Sequence, residues 1–195
     1  MAITPADIKQ LREATGAGMM DSKKALKEAN GDMEQAETIL RKRGQKIAEK
    51  KRSREAKEGL VGTYAHATGK VGAMVEVACE TDFVARSEPF QELVHHLTMH
   101  VAAANPTYLK PEDVPAKVVE KEREIYRAEA EQSGKPAKVM EKIIEGKLAK
   151  LYEVECLLRQ PFIMEEKQTV EELLIQKIQQ IGEKIEITRF VRYEL

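Results

Sequence analysis

One seven-residue stretch, Glu80-Thr81-Asp82-Phe83-Val84-Ala85-Arg86, gathers two carboxylates, a hydroxyl, a guanidinium and a large apolar ring. It follows Val71, Ala73, Val75, Val77 and Cys79, whose alternation predicts a β-strand with those residues on one face. A carboxylate and an aromatic ring are therefore set side by side at a strand end. Such a pair can work on another molecule's polar centre, the ring by packing and the carboxylate by competing for donors or cations. A plainer reading of the same residues makes Asp82 a cap for local amides and places Phe83 in the core.

Other constellations carry less chemistry. Gly16-Ala17-Gly18 invites a phosphate loop, but no strand precedes it, and it lacks both the third glycine of a dinucleotide fingerprint and the Gly-Lys-Ser/Thr of a P-loop. A turn between helices is the better reading, and no bound nucleotide is expected. His96 and His100 stand four apart on a predicted helix, a spacing that can chelate zinc. Neither a third ligand nor the glutamate of a zinc hydrolase accompanies them, so packing or surface roles are expected. Cys79 and Cys156 lack the short paired spacing of a zinc or redox motif. A reducing, cytoplasmic setting fits them. No Ser-His-Asp or Cys-His set can be assembled, and neither a catalytic site nor a cofactor is expected.

Residues 41–57 hold nine Lys or Arg (Arg41, Lys42, Arg43, Lys46, Lys50, Lys51, Arg52, Arg54, Lys57) against Glu49 and Glu55, a local charge of +7. The run reads as a solvated helical linker. RNA binding is the alternative, since each phosphate contact adds salt-dependent affinity, but no aromatic is interleaved to stack bases. Met19-Met20 beside the glycine turn fits a core position or an adaptable apolar contact surface equally well.

These residues must be positioned by a chain of 195 residues, 42% hydrophobic and 33% charged, with a formal net charge of −1. That composition is ordinary for a globular protein and argues against a surface built wholly for nucleic acid. The start carries no basic segment followed by an apolar one, and no apolar run approaches the roughly 20 residues that span a bilayer. No membrane or secretory role is expected.

Thr4-Pro5-Ala6-Asp7 predicts a helix start, with Thr4 as N-cap. The helix should run to about Ala14. A short helix then carries Ala25 and Leu26, Asn30-Gly31 turns, and Asp32 caps a third helix with Ala36, Ile39 and Leu40 inward, ending before Gly44. Past Gly59 the period becomes two, predicting a hairpin over Leu60–Ala67 and Val71–Cys79. Ser87 opens a helix with Phe90, Leu93, Val94, Leu97, Val101 and Ala104 on its apolar stripe, stopped by Asn105-Pro106. Two long helices are expected at 116–132 and 136–158, separated by Gly134-Lys135-Pro136. Val118, Val119, Ile125 and Tyr126 make a thin stripe on the first, and Met140, Ile144, Leu148 and Leu151 a fuller one on the second. Thr169 and Glu172 suggest a capping box for a last helix, which Gly182 ends. A closing strand carries Ile185, Ile187, Val191 and Tyr193.

The expected fold is α+β. It divides into a three-helix head (1–44), a basic helical linker (45–58) and a core (59–195), in which a small three-stranded antiparallel sheet packs with helices and a helical hairpin (116–158) protrudes. Open sheet edges need covering, and a non-covalent homodimer is one way to do it.

The Thr15-Gly16-Ala17-Gly18-Met19-Met20-Asp21 block and Thr81-Asp82-Phe83-Val84 closely resemble bacterial elongation factor Ts. Asn30-Gly31-Asp32, His100-Val101-Ala102-Ala103, Ser133-Gly134-Lys135-Pro136, Glu145-Gly146-Lys147 and Gln160-Pro161-Phe162 also look like blocks of that family. The likeness covers essentially the whole chain and follows the family's short form, in which one core unit replaces two halves. Ser22 stands where many members have cysteine, and Val191 leaves no thiol for a covalent dimer there.

The resemblance implies a ubiquitin-associated-like head and a guanine nucleotide exchange factor for elongation factor Tu, acting by protein–protein binding without covalent chemistry. It implies that Thr81, Asp82, Phe83 and Val84 enter the partner's G domain, and that Asp82 and Phe83 help dislodge its Mg²⁺. Leu11, Met19 and Met20 are proposed as head contacts. The partner would be met both GDP-bound and nucleotide-free. The rival reading is an RNA- or ribosome-associated module using residues 41–57, whose affinity would fall steeply with salt and depend on Lys50, Lys51 and Arg52.

Overall fold

The computed structural model describes residues 3–132 and 136–195. The expected turn at Gly134-Lys135 lies outside the described residues. The chain divides into two compact units: Met1–Gly62 with Val75–His96 and Glu171–Thr188, and Thr63–Met74 with Leu97–Val170 and Arg189–Leu195. The fold is α+β, with one three-stranded antiparallel sheet and a separate two-stranded one.

The first unit begins with three helices, α1 (Pro5–Thr15), α2 (Met19–Glu28) and α3 (Met33–Lys51). α1 opens on a full capping box: the Asp7 amide donates to Thr4 Oγ1 at 3.2 Å, and the Thr4 amide donates to Asp7 Oδ2 at 2.8 Å. The Thr4 amide, then the Thr4 hydroxyl at 2.8 Å, donate to that carboxylate and hold the Asp7 carboxyl below its usual range. α1 ends at Gly16, whose φ of 66° is the left-handed cap that a β-carbon disfavours. Asp32 accepts from the Gln35 amide to start α3. Leu11, Ala17, Ala25, Leu26, Ala29, Ala36 and Leu40 close the core between these helices.

α3 does not stop at Gly44 but runs on to Lys51. The glycine answers to close packing, not to termination. A β-carbon there would lie 2.7 Å from Gln179 Oε1 and 3.3 Å from the Ile175 methyl group, both on α8 (Val170–Ile181). Arg41 reinforces the crossing with an ion pair to Glu172 at 3.2 Å.

Strands β1 (Glu58–Ala65), β2 (Val71–Cys79) and β5 (Ile185–Glu194) form the sheet in the order β1-β2-β5. β2 is therefore central, and of the expected face Ala73, Val75, Val77 and Cys79 are buried while Val71 at its start is half-buried. After β2 come a one-turn helix, α4 (Asp82–Ala85), and α5 (Glu88–Ala104). Of the α5 stripe, Phe90, Leu93, Val94, Leu97 and Val101 are buried as its 3.6-residue period requires, and Ala104 at its end is half-buried.

The second unit contains α6 (Ala116–Gln132) and α7 (Ala137–Glu155). Ile144 and Leu148 of α7 are buried, but Val118 and Ile125 of α6 are exposed. A stripe so thin covers only one side of its neighbour, and ion pairs add to the contact. Arg123 bridges Glu141 at 3.2 Å and Glu145 at 2.9 Å, and Lys147 pairs with Glu129 and lies over the Tyr126 ring. After a 3-10 turn at Leu157–Arg159, β3 (Pro161–Phe162) and β4 (Glu165–Thr169) pair antiparallel, a ribbon the periodicity did not predict.

Candidate functional site

β2 delivers the chain to a corner where the amides of Glu80, Thr81, Val84, Ala85 and Arg86 are all hydrogen-bonded. Thr81, extended at φ −130° and ψ 154°, is the N-cap of α4, its hydroxyl accepting from the Val84 amide at 3.4 Å. The cap is thus Thr81 and not Asp82. Ser87 closes the far end, its hydroxyl donating to the Val84 carbonyl at 2.7 Å. Ala85 is buried beneath the turn, while Phe83 on its outer side is 82% exposed. The reading that sends Phe83 into the core does not hold. Asp82 is half-buried and forms an ion pair with Arg86 at 3.2 Å.

Two carboxylates hold the corner in opposite senses. Glu183 Oε2 accepts the amides of Glu80 at 3.1 Å and Thr81 at 3.0 Å, and its Oε1 accepts the Thr81 hydroxyl at 2.7 Å. Glu80 Oε1 accepts the Lys184 amide at 2.6 Å, and Arg54 Nη1 lies 3.1 Å from Glu80 Oε2. The Lys184 amide, then Arg54, hold the Glu80 carboxyl below its usual range. Beneath them the buried Cys79 thiol donates to the Thr81 carbonyl at 3.2 Å. Burial first, and the Glu183 charge second, push that thiol up, so it stays protonated.

The four residues Thr81, Asp82, Phe83 and Val84 come together in one presented turn. Met19 and Met20 occupy the first turn of α2 at 51% and 63% exposure. That settles the choice between core and surface in favour of surface. Leu11 differs: it is 0% exposed in the head core. Its side chain is not presented at the surface, and it shapes the head from within.

Glu183 escaped the sequence reading. One signal pointed to it, because it follows the glycine that ends α8, where the helix dipole disfavours a negative charge. A carboxylate there calls for donors from elsewhere in the fold.

The basic run is engaged largely within the chain. Arg41 pairs with Glu172, Arg43 with Glu28, Arg54 with Glu80 and Lys57 with Glu55, while Lys51 donates to the Gly182 carbonyl. His100 is fully buried, and both ring nitrogens are engaged. Nδ1 accepts the Ile163 amide at 3.3 Å, which leaves the Nε2 hydrogen for Gln160 Oε1 at 2.9 Å. Gln160 in turn donates to the carbonyls of Val154 and Ala104. Burial lowers the His100 pKa, and the ring packs 5.9 Å from that of Phe162. The His100 and Gln160-Pro161-Phe162 blocks are thus joined by a satisfied polar network.

Residues 7–195 match the family described as Elongation factor TS. The chain is 56% identical to the Elongation factor Ts of Moorella thermoacetica over 193 residues, covering 99% of this chain and 95% of that protein. It is 53% identical to that of Solibacter usitatus, with 99% and 91% covered. With that of Fervidobacterium nodosum it shares 52% over 195 residues, 100% of this chain and 99% of the relative.

Proposed function

This chain belongs to the elongation factor Ts family, which makes it an elongation factor of protein biosynthesis, and we propose that it is the guanine nucleotide exchange factor of elongation factor Tu. The observation that carries this reading is Phe83, an aromatic ring left 82% exposed on a turn whose backbone is pinned. Fully burying a phenylalanine contributes about 2–3 kcal/mol. The fold forgoes nearly all of that gain, which becomes available on contact with a partner.

Mg²⁺ in a G domain bridges nucleotide phosphates and demands near-octahedral oxygen geometry. Phe83 would enter as an apolar wedge, with Asp82 the polar group beside it and Thr81 and Val84 forming the turn's shoulders. Displacing the ion's protein and water shell weakens the hold on GDP without breaking a covalent bond. Met19 and Met20 would grip the G domain through their adaptable thioethers. Such a factor needs no cofactor of its own and would act in the cytoplasm, where translation takes place. No helix among the described residues is long and apolar enough to cross a membrane. RNA binding by residues 41–57 is the weaker reading, because five of those side chains are committed to partners within the chain.

The test is release of a fluorescent GDP analogue from Mg²⁺-loaded elongation factor Tu, with and without catalytic amounts of this chain. Strong acceleration is expected. Unchanged release, with both proteins folded, would overturn the assignment and bring RNA binding forward.

A further inference from the structure

α4 is a single turn, too short to be stable by its own hydrogen bonds. Its outer residue is an exposed ring, and Ala85 alone is buried beneath it. Something else must fix it, and the donors around Glu183 identify what does. Three hydrogen bonds reach that carboxylate, from the Glu80 and Thr81 amides and the Thr81 hydroxyl, just ahead of Asp82 and Phe83. The corner carrying Glu183 is itself anchored. The Gly182 carbonyl accepts Lys51 Nζ from the end of α3, and α3 crosses α8 at Gly44. Lys184 returns the grip by giving its amide to Glu80.

We propose that Glu183 is the positioning residue of the exchange turn: it fixes the Glu80–Thr81 backbone so that Phe83 meets the partner in one orientation. The assignment rests on the exchange reading above. Glu183 itself need not touch the nucleotide site. Its contribution is preorganisation, since a turn already ordered loses little conformational freedom when it docks. Loss of the carboxylate should therefore weaken the productive step more than the initial encounter, which Met19 and Met20 also serve.

The experiment compares Glu183→Ala and Glu183→Gln in two assays. In the first, GDP-analogue release from elongation factor Tu is followed across a range of chain concentrations. For Glu183→Ala the maximal rate is expected to fall about tenfold or more, while the half-saturating concentration moves less than about threefold. Glu183→Gln should recover most of the rate, because its amide oxygen can still accept the two backbone N–H groups.

The second assay needs no partner. The chain has no tryptophan, so Phe83→Trp installs a single fluorophore on the turn. Adding Glu183→Ala should lower its fluorescence anisotropy while circular dichroism keeps its helical signal. Anisotropy equal to that of the Glu183 parent overturns the proposal. So does a loss of helix content in Glu183→Ala, because Glu183 would then be holding the fold and not the turn. A wild-type chain that fails to accelerate release sinks the exchange reading instead, and the anisotropy comparison still decides whether Glu183 orders the turn.

Discussion

A side chain that lies in water can be removed at little cost to the fold, and this separates binding residues from structural ones. Phe83→Ala is expected to leave stability within about 0.5 kcal/mol of the parent, as exposed substitutions do. Exchange should fall by one to two orders of magnitude, on the order of the burial energy lost. Stopped-flow release beside a thermal melt would read both, and an unchanged release rate would remove the wedge role. Leu11 and Met20 make a second contrast, since one is fully buried and the other mostly exposed. Leu11→Ala should destabilise the head by about 2–5 kcal/mol. Met20→Ala should leave the melt alone and weaken partner binding, as read by titration calorimetry. Equal melting curves for the two variants would contradict the packing described.

At the scale of elements, features decided within a few residues were legible in the sequence, and those decided across the fold were not. The Thr4 N-cap, the Asp32 cap, the β1–β2 hairpin and the α5 stripe each follow from local spacing, and each is present. The length of α3 was hidden because Gly44 makes room for α8, more than 130 residues away in sequence. The β3–β4 ribbon was hidden because Pro161-Phe162 is too short, and Glu165–Thr169 too polar, to show an alternating pattern. Of the candidate site, Thr81–Val84 was readable, but its support was not, since Glu183 reaches it across 102 residues. Gly59 offers a test at this scale. Its φ is 147°, and a β-carbon would meet the Val77 carbonyl oxygen at 2.1 Å. Backbone on both sides cannot yield, so Gly59→Ala should cost more than about 2 kcal/mol, measured by urea unfolding.

For the whole molecule, pH and ligand linkage give the expectations. The His100 imidazole titrates near 6.5 when unfolded, but burial holds it lower in the fold. Between those values the unfolded chain binds more protons, so stability should fall as pH drops below 6.5 until the folded ring is itself protonated. Asp7 and Glu80, held below 3.8 and 4.5, add their losses only in more acid solution. Urea midpoints between pH 7.5 and 5 should therefore decline in the parent and much less in a less stable His100→Asn variant. Equal declines would remove His100 as the cause. Exchange obeys a similar reciprocity. If the chain weakens GDP binding by some factor, GDP must weaken its grip on elongation factor Tu by the same factor, which calorimetry with and without GDP would check.

Glu183 grips the turn through two main-chain amides and the hydroxyl of Thr81, and none of these belongs to residue 82 or 83. The mount is thus indifferent to the chemistry it displays. Mutation could retune the tip to a drifting partner while its bearing stays fixed. A lineage can in this way keep one scaffold and co-evolve only its point of contact.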